Sequence, residues 1–303
     1  MFDSQLKSYE YVITVAKHGS VSQAAESLNI AQSALSRYIK KLEAELKIDL
    51  FDRSVIPIRL TEAGKCYVDI GYQLLRTEQE LNKKLQEIKT NKNSLIRIGI
   101  SPTRSSYIMP MIFEEYMKIS PQCKFTVEEY TSAELSRKLE RGELDVMISW
   151  LDQDTEAFER IELFDEKILL AVPRQWECDN KDVLDVLNNK QLISTGNGQA
   201  LWHVMQNLLK NIGVSPPNIE CKSIETSLAF VKSGFGAALV PSYIANYSTK
   251  ELKDKVDFFQ LPDNISSNDT VKYQRKICLF YRKNQYLSFS ERCFINCVKE
   301  VFL

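Results

Sequence analysis

The sequence predicts an α/β multidomain chain: an N-terminal winged helix-turn-helix, then a long helix, then a two-lobed α/β domain. Three observations carry this. Two short amphipathic helices meet at a tight turn within residues 19–46. A proline-free stretch over residues 61–88 repeats apolar side chains at heptad spacing. From residue 95 onward, short apolar strands alternate with helical periods.

Leu6, Tyr9, Val12, Ile13, Val15 and Ala16 line one face of a supporting first helix, with Gly19 as its C-terminal cap. Ser20 is placed to cap a second helix whose inner face is Ala24, Ala25 and Leu28. Asn29 suits the turn, because asparagine tolerates left-handed backbone angles. A third helix starts near Gln32, with Ala34, Leu35, Ile39, Leu42 and Leu46 on its apolar face. Its other face carries Gln32, Ser33, Ser36, Arg37, Lys40 and Lys41. Short polar groups at a helix start, followed by cations, suit a helix that reads base edges and holds phosphates. An ordinary amphipathic hairpin with a solvated face would show the same pattern. Leu50 and Phe51 then read as anchors, Asp52, Arg53, Ser54 and Pro57 as a turn, and Ile56, Ile58 and Leu60 as an alternating strand. Together these form a wing that offers Arg53 and Arg59 to a phosphate backbone or minor groove.

Thr61 caps the long helix, with Glu62 in its first turn. Tyr67, Ile70, Leu74, Thr77, Leu81, Lys84 and Ile88 form the heptad seam. About 28 residues span roughly 40 Å, longer than a small domain needs, so the seam is read as a dimerisation surface. Residues 90–94 are polar and periodless, a hinge. Beyond it, strands are expected at 95–100, 124–129, 144–149, 168–172, 191–194, 219–223, 236–241 and 276–281. Phe164 is strand-like, and residues 101–106 form a polar turn. Helices are expected at 107–119, 133–141, 182–187, 201–212, 225–233 and 290–301, giving parallel sheets with right-handed crossovers. Ligands of such sheets bind beyond the carboxyl ends of the strands.

Composition narrows the function classes. The 303 residues, 44% of them hydrophobic, support two or three packed domains. No apolar run reaches the ~18 residues of a membrane span, and the N-terminus lacks a signal-peptide pattern, so a cytoplasmic location without membrane contact is expected. Residues 1–92 hold 14 Lys/Arg and 12 Asp/Glu, against 25 and 28 in the remainder. This weak asymmetry permits local contact with nucleic acid. Seven cysteines without CxxC spacing argue against a disulfide framework or a zinc site. Cys293 and Cys297 share a helix face, either as core residues or as a redox pair. The only histidines, His18 and His203, lie far apart in sequence, so neither a metal centre nor a Ser/His/Asp site is expected. No P-loop, GxGxxG or GxSxG pattern supports an enzyme, and no cofactor is expected.

The ordered set GSVSQAAESLNIAQSALSRYIKKLEAEL, LFDR and RLTEAG, followed by RIGISPT, ERGELDVMIS and VKSGFGAALVP, resembles the LysR-type transcriptional regulators over nearly the whole chain. Two positions depart from the family pattern: Ser33 stands where proline is usual and Lys47 where glycine is common. The resemblance implies a regulator that binds double-stranded promoter DNA under control of a small-molecule effector held between two lobes. It implies DNA contacts from Ala31, Gln32, Ser33, Ser36 and Arg37, a wing contact from Arg53, and backbone contact or solvation for Lys40 and Lys41. It implies an effector-binding domain like the periplasmic binding proteins, with strands crossing between lobes near 164–169 and 268–272. The matching site positions are Ser101, Pro102, Thr103, Arg104, Thr131, Ser132 and Ser149, faced by Thr195, Gly196, Asn197 and Ser223. Hydroxyls and amides there suit an anionic ligand, with Arg104 as a carboxylate partner; ordinary helix caps would use the same residue types. The expected division is 1–60 for DNA binding, 61–90 for the linking helix and 91–303 for the effector-binding domain. Within the last, lobe I covers about 95–164 and 269–303, and lobe II about 165–268. The resemblance further implies a homodimer, assembled into a tetramer, and admits RNA polymerase as a partner. Three competing readings stand beside it: an α/β enzyme, a stand-alone solute-binding protein, and a regulator of the same fold switched by thiol oxidation.

Overall fold

The computed structural model describes residues 2–90, 95–150, 156–179, 183–196, 200–261 and 274–303. Contacts divide its elements into two compact units, those up to residue 90 and those from residue 95 onward.

In the first unit α1 (Phe2–His18), α2 (Val21–Ser27) and α3 (Gln32–Leu46) pack around Val12, Val15, Ala24, Ala25, Leu35 and Ile39. The two alanines let α2 approach its neighbours closely. Gly19 closes α1 at φ +60°, where a Cβ would stand 2.8 Å from Pro57 Cβ, so both backbone angle and space require glycine. Ser20 Oγ accepts the Gln23 N–H, and Asn29 takes φ 54° in the turn, as its residue type suggests. The apolar face of α3 differs from the expected one. Leu35 and Ile39 are buried, but Ala34 and Leu46 are exposed and Leu42 is half-buried. Glu43 is buried instead, because its carboxylate finds partners inside. The wing is a minimal ribbon of β1 (Phe51–Asp52) antiparallel to β2 (Arg59–Leu60). Ile56, expected in the strand, is 98% exposed, since only two residue pairs form the ribbon and 53–58 is left as loop.

Thr61 opens α4 (Glu62–Thr90) by accepting the Gly64 N–H at 3.0 Å while donating to the Asp49 carbonyl at 2.7 Å. A Cβ on Gly64 would meet the Leu50 carbonyl oxygen at 2.0 Å, so the wing's anchor sits directly against the helix. Val68 and Tyr72 join the core. Tyr67 stacks on Tyr9 with ring centroids 4.7 Å apart and shares a hydrogen bond with Ser8. It therefore packs on its own unit rather than standing in the seam. Ile70, Leu74, Leu81, Leu85 and Ile88 remain exposed by 41–80%.

The second unit is built on two groups of parallel strands, with three apolar clusters packed against them. In the first group, β3 (Leu95–Ile100) pairs in parallel with β4 (Lys124–Glu129) and β5 (Val146–Ser149). In the second, β7 (Leu192–Thr195) pairs in parallel with β8 (Ile219–Cys221) and β9 (Ala237–Pro241). The expected parallel sheets are nevertheless joined by antiparallel strands. The 16-residue β6 (Phe158–Pro173) runs antiparallel to β11 (Gln274–Arg282) along its first part. Along its second part it runs antiparallel to β9 and to β10 (Val256–Gln260). The sheet is thus mixed, in the order β4-β3-β5-β11-β6-β9-β7-β8, because one long strand serves both halves. The crossing expected near 164–169 falls within β6; the one near 268–272 lies outside the described residues.

Helix α5 (Pro102–Ile119) begins five residues earlier than expected, so most of the anticipated polar turn is its first turn. Proline at the first helical position loses no needed N–H and presets φ. Helices α6 (Ser132–Glu140), α7 (Val183–Asn189), α8 (Ala200–Ile212), α9 (Ile224–Lys232) and α12 (Phe289–Phe302) stand where the periodicity puts them. The short α10 (Ser242–Tyr247) and α11 (Lys250–Lys253), with β10, were not anticipated; four to six residues are too few to show a period. Among the described residues no helix is long and apolar enough to cross a membrane.

Candidate DNA interface and ligand cavity

On the first unit, Ala31 is the N-cap of α3 and supplies no side-chain cap. The start of this helix is therefore uncovered, its first N–H groups adding partial positive charge. Ala31, Gln32, Ser33, Arg37, Lys40 and Lys41 are exposed and Ser36 is half-buried, one polar stripe along the helix. Arg37 Nε donates to the Ser33 carbonyl at 3.2 Å, which lays the guanidinium along the helix surface. Arg53 is less available. Its Nη2 lies 2.7 Å from Glu43 Oε2, with 39% of the side chain exposed. Glu43 Oε1 also accepts the N–H groups of Leu50 at 2.8 Å and Phe51 at 3.2 Å. One buried carboxylate on α3 thereby fixes the start of the wing and the arginine beyond it. The sequence reading missed Glu43, because a glutamate at helical spacing ordinarily marks the solvent face.

The second unit holds a cavity of about 590 Å³ at the start of α5, α6 and α9. Ser101, Pro102, Thr103, Arg104, Thr131, Ser132 and Ser223 line it. Ser149, Thr195 and Gly196 are buried and do not line it. Asn197 lies outside the described residues. Several of the hydroxyls are engaged as caps. Thr131 Oγ1 donates to Glu134 Oε2 at 2.8 Å and accepts the Glu134 N–H at 3.4 Å. Ser223 Oγ accepts the Thr226 N–H at 3.1 Å. Ser149 donates to Ser132 Oγ at 2.8 Å, supporting the cavity from beneath. Ser101, by contrast, makes no side-chain cap; its Oγ accepts Arg104 Nη1 at 3.0 Å.

Arg104 is only 3% exposed and does not reach solvent. Its Nη2 lies 2.9 Å from Oε1 of Glu166, which is fully buried on β6 and also lines the cavity. Tyr243 stands against this pair, with its ring centroid 5.9 Å from the guanidinium carbon. Burial pushes its hydroxyl well above the ordinary phenol range, more than the nearby Arg104 charge lowers it, so it stays a neutral donor. Arg275 lies 4.6 Å over the Trp150 ring on the cavity wall, and His203 and Lys222 complete the lining's nitrogen groups. None of Glu166, Tyr243, Trp150, Arg275 and Lys222 is singled out by the sequence, and His203 is weighed there only as a metal or catalytic residue. Glu166 had a legible signal: it shares one strand face with Ile168 and Leu170, and a lone charge on an apolar strand face asks for a buried partner.

No cysteine lines the cavity. Cys297 is buried, donates to the Ile112 carbonyl at 3.6 Å, and has its thiol pushed up to about 11 by burial. Cys293, four residues earlier, is half-buried.

Residues 6–65 match the family described as bacterial regulatory helix-turn-helix protein, lysR family, and residues 90–303 match the LysR substrate binding domain. Among curated relatives, the chain is 25% identical to the HTH-type transcriptional regulator YcgK of Bacillus subtilis, over 97% of this chain and 94% of that protein. It is 28% identical to the DNA-binding transcriptional dual regulator OxyR of Escherichia coli, over 78% and 79% of the two chains. Among solved structures, full-length CbnR complexed with its target DNA shares the fold at a TM-score of 0.63 and 19% identity, covering 98% and 99%. The chain therefore belongs to the LysR family of DNA-binding transcriptional regulators, with a helix-turn-helix unit and an effector-binding domain, and its family and fold are not those of an enzyme.

Proposed function

We propose that α3 reads promoter DNA and that a small molecule in the α5–α6–α9 cavity alters this reading. Ser36 and Arg37 contact base edges, with Ala31, Gln32 and Ser33 at the helix start; Lys40 and the exposed edge of Arg53 hold phosphates. The exposed seam residues Ile70, Leu74, Leu81 and Ile88, with Leu85 beside them, pair with a second copy along α4, the helix that links a DNA-binding part ending near residue 60 to an effector-binding part beginning near residue 91. Two α3 helices then face successive turns of one DNA side, about 34–36 Å apart. Dimers assemble into a tetramer in the cytoplasm, where RNA polymerase is the further partner. The effector favours one arrangement of the oligomer, and this differential affinity is the whole source of the switch.

The observation that supports this reading is the pairing, in one chain, of an uncapped polar helix face with a 590 Å³ cavity floored by a buried ion pair. The test titrates small carboxylates and amino acids into the full chain, following its melting temperature and its affinity for a promoter duplex together. A ligand that raises the first and changes the second supports the proposal. Ligands that raise the melting temperature and leave DNA affinity unchanged contradict it. Thiol oxidation is the second reading, favoured by the 28% identity to OxyR. The high thiol pKa of Cys297 and a cavity without cysteine weigh against it.

A further inference from the structure

The cavity contains two buried charged groups, each with an atom left over. Glu166 is fully buried, and Arg104 occupies its Oε1 while its Oε2 has no hydrogen-bond partner. Arg104 is 3% exposed and spends Nη1 on Ser101 and Nη2 on Glu166, while its Nε also has none. A buried acceptor left unmade is costly, so a ligand that supplies the donor gains what the empty site forfeits. Beside them α5 starts, 18 residues long, with proline at its first position and no side-chain cap. Such a start favours negative charge.

We infer that the effector is a zwitterion of the amino-acid type, its carboxylate on the α5 start and its protonated amine on Glu166. The inference rests on reading this cavity as the effector site. Ser101, the N-cap of α5, accepts Arg104 Nη1 and Glu166 accepts Nη2, so the helix start and the acceptor lie at the two ends of one guanidinium. A carboxylate and an amine on one carbon match that separation. A ligand with only a carboxylate brings a second negative charge toward Glu166 and leaves Oε2 unpartnered. A ligand with only an amine meets Arg104 and the positive end of α5. The terminal torsion of a glutamate is soft, so a modest turn of the whole carboxylate brings Oε2 toward an arriving amine with Oε1 still within reach of Arg104. Trp150, Pro241 and Tyr243 offer apolar surface for the rest of the molecule.

The test uses the full chain, the protein L-amino acids one by one, and for each the deaminated acid and the decarboxylated amine, read by calorimetric titration. The expected result is at least one amino acid that binds about tenfold or more tightly than both of its analogues. In Glu166→Gln, which keeps an oxygen for Arg104, the amino acid falls to the level of its deaminated acid. Circular dichroism confirms that this variant folds, and the comparison among ligands on the unaltered chain needs no variant. A deaminated acid that binds as tightly as its amino acid overturns the inference. If that acid also changes DNA affinity, the cavity remains the effector site and only the zwitterion falls. No binding by any member of the panel counts against both.

Discussion

Glu43 on α3 and Arg53 in the wing form an ion pair with 2.7 Å between Oε2 and Nη2, the glutamate 5% exposed and the arginine side chain 39%. The other carboxylate oxygen receives the N–H groups of Leu50 and Phe51. The helix proposed to read DNA and the ribbon beside it are thus set by one side chain. Glu43→Ala leaves two buried N–H groups without an acceptor and should cost about 2–4 kcal/mol, most of it from those groups, since the partly exposed arginine contributes little. Glu43→Gln retains one acceptor and should cost clearly less. Urea denaturation of both variants checks the order.

The polar stripe on α3 separates into readers and holders. Arg37→Ala should weaken binding to the preferred duplex by about 1–3 kcal/mol and relax base preference, while the oligomeric state in solution stays the same. Lys40→Ala should weaken binding to all duplexes alike and lower the slope of log affinity against log salt by about 1. Anisotropy titrations at several salt concentrations measure both. A footprint unchanged in Arg37→Ala removes that residue from the mechanism.

Lys47 follows α3 with φ at 58°, a left-handed angle that a side chain with a Cβ adopts at a cost. Its N–H still bonds the Glu43 carbonyl, so the helix ends properly despite the strain. Lys47→Gly should raise stability by about 0.5–1 kcal/mol without altering DNA specificity. A thermal melt that shows no gain contradicts the assignment of strain here.

The cysteines predict a pattern of modification. Cys66 is exposed, whereas Cys297 is buried with its thiol near 11. A raised thiol pKa keeps the reactive thiolate scarce at neutral pH and favours it only as pH climbs toward that value. Iodoacetamide at pH 8 should label Cys66 readily and leave Cys297 unmodified in the folded chain. Peroxide should leave DNA affinity unchanged. Labelling of Cys297 at neutral pH, with a change in DNA affinity, would revive the redox reading.

Much of the fold was legible because its signals are local. Gly19, Ser20 and Asn29 announced the turns of the first unit, and LIRIGI announced β3 to the residue. What was not legible depends on partners far along the chain. Glu43 is inside because of Leu50, Phe51 and Arg53; Tyr67 turns inward because Tyr9 waits there. The antiparallel run of β6 against β11 joins residues more than a hundred positions apart, and no periodicity records it. The cavity shows the same division. The rule that ligands sit beyond strand ends pointed to its loops in general; the resemblance to the family named the residues, and seven of those line it. Tyr243 and Arg275 came only with the fold, since they reach the cavity from α10 and β11; Glu166 on β6 carried a signal of burial, but its partner Arg104 lies 62 positions away.

The central claim is that α3 reads DNA as one half of a symmetric pair. Selection of the full chain against a randomised duplex library tests it most directly. The account predicts enrichment of an inverted repeat whose half-site centres lie about 34–36 Å apart or a multiple of it, lost from the selected pool when Arg37→Ala replaces the unaltered chain. Retention of an unsorted pool, or an enriched motif that Arg37→Ala selects equally well, would contradict it.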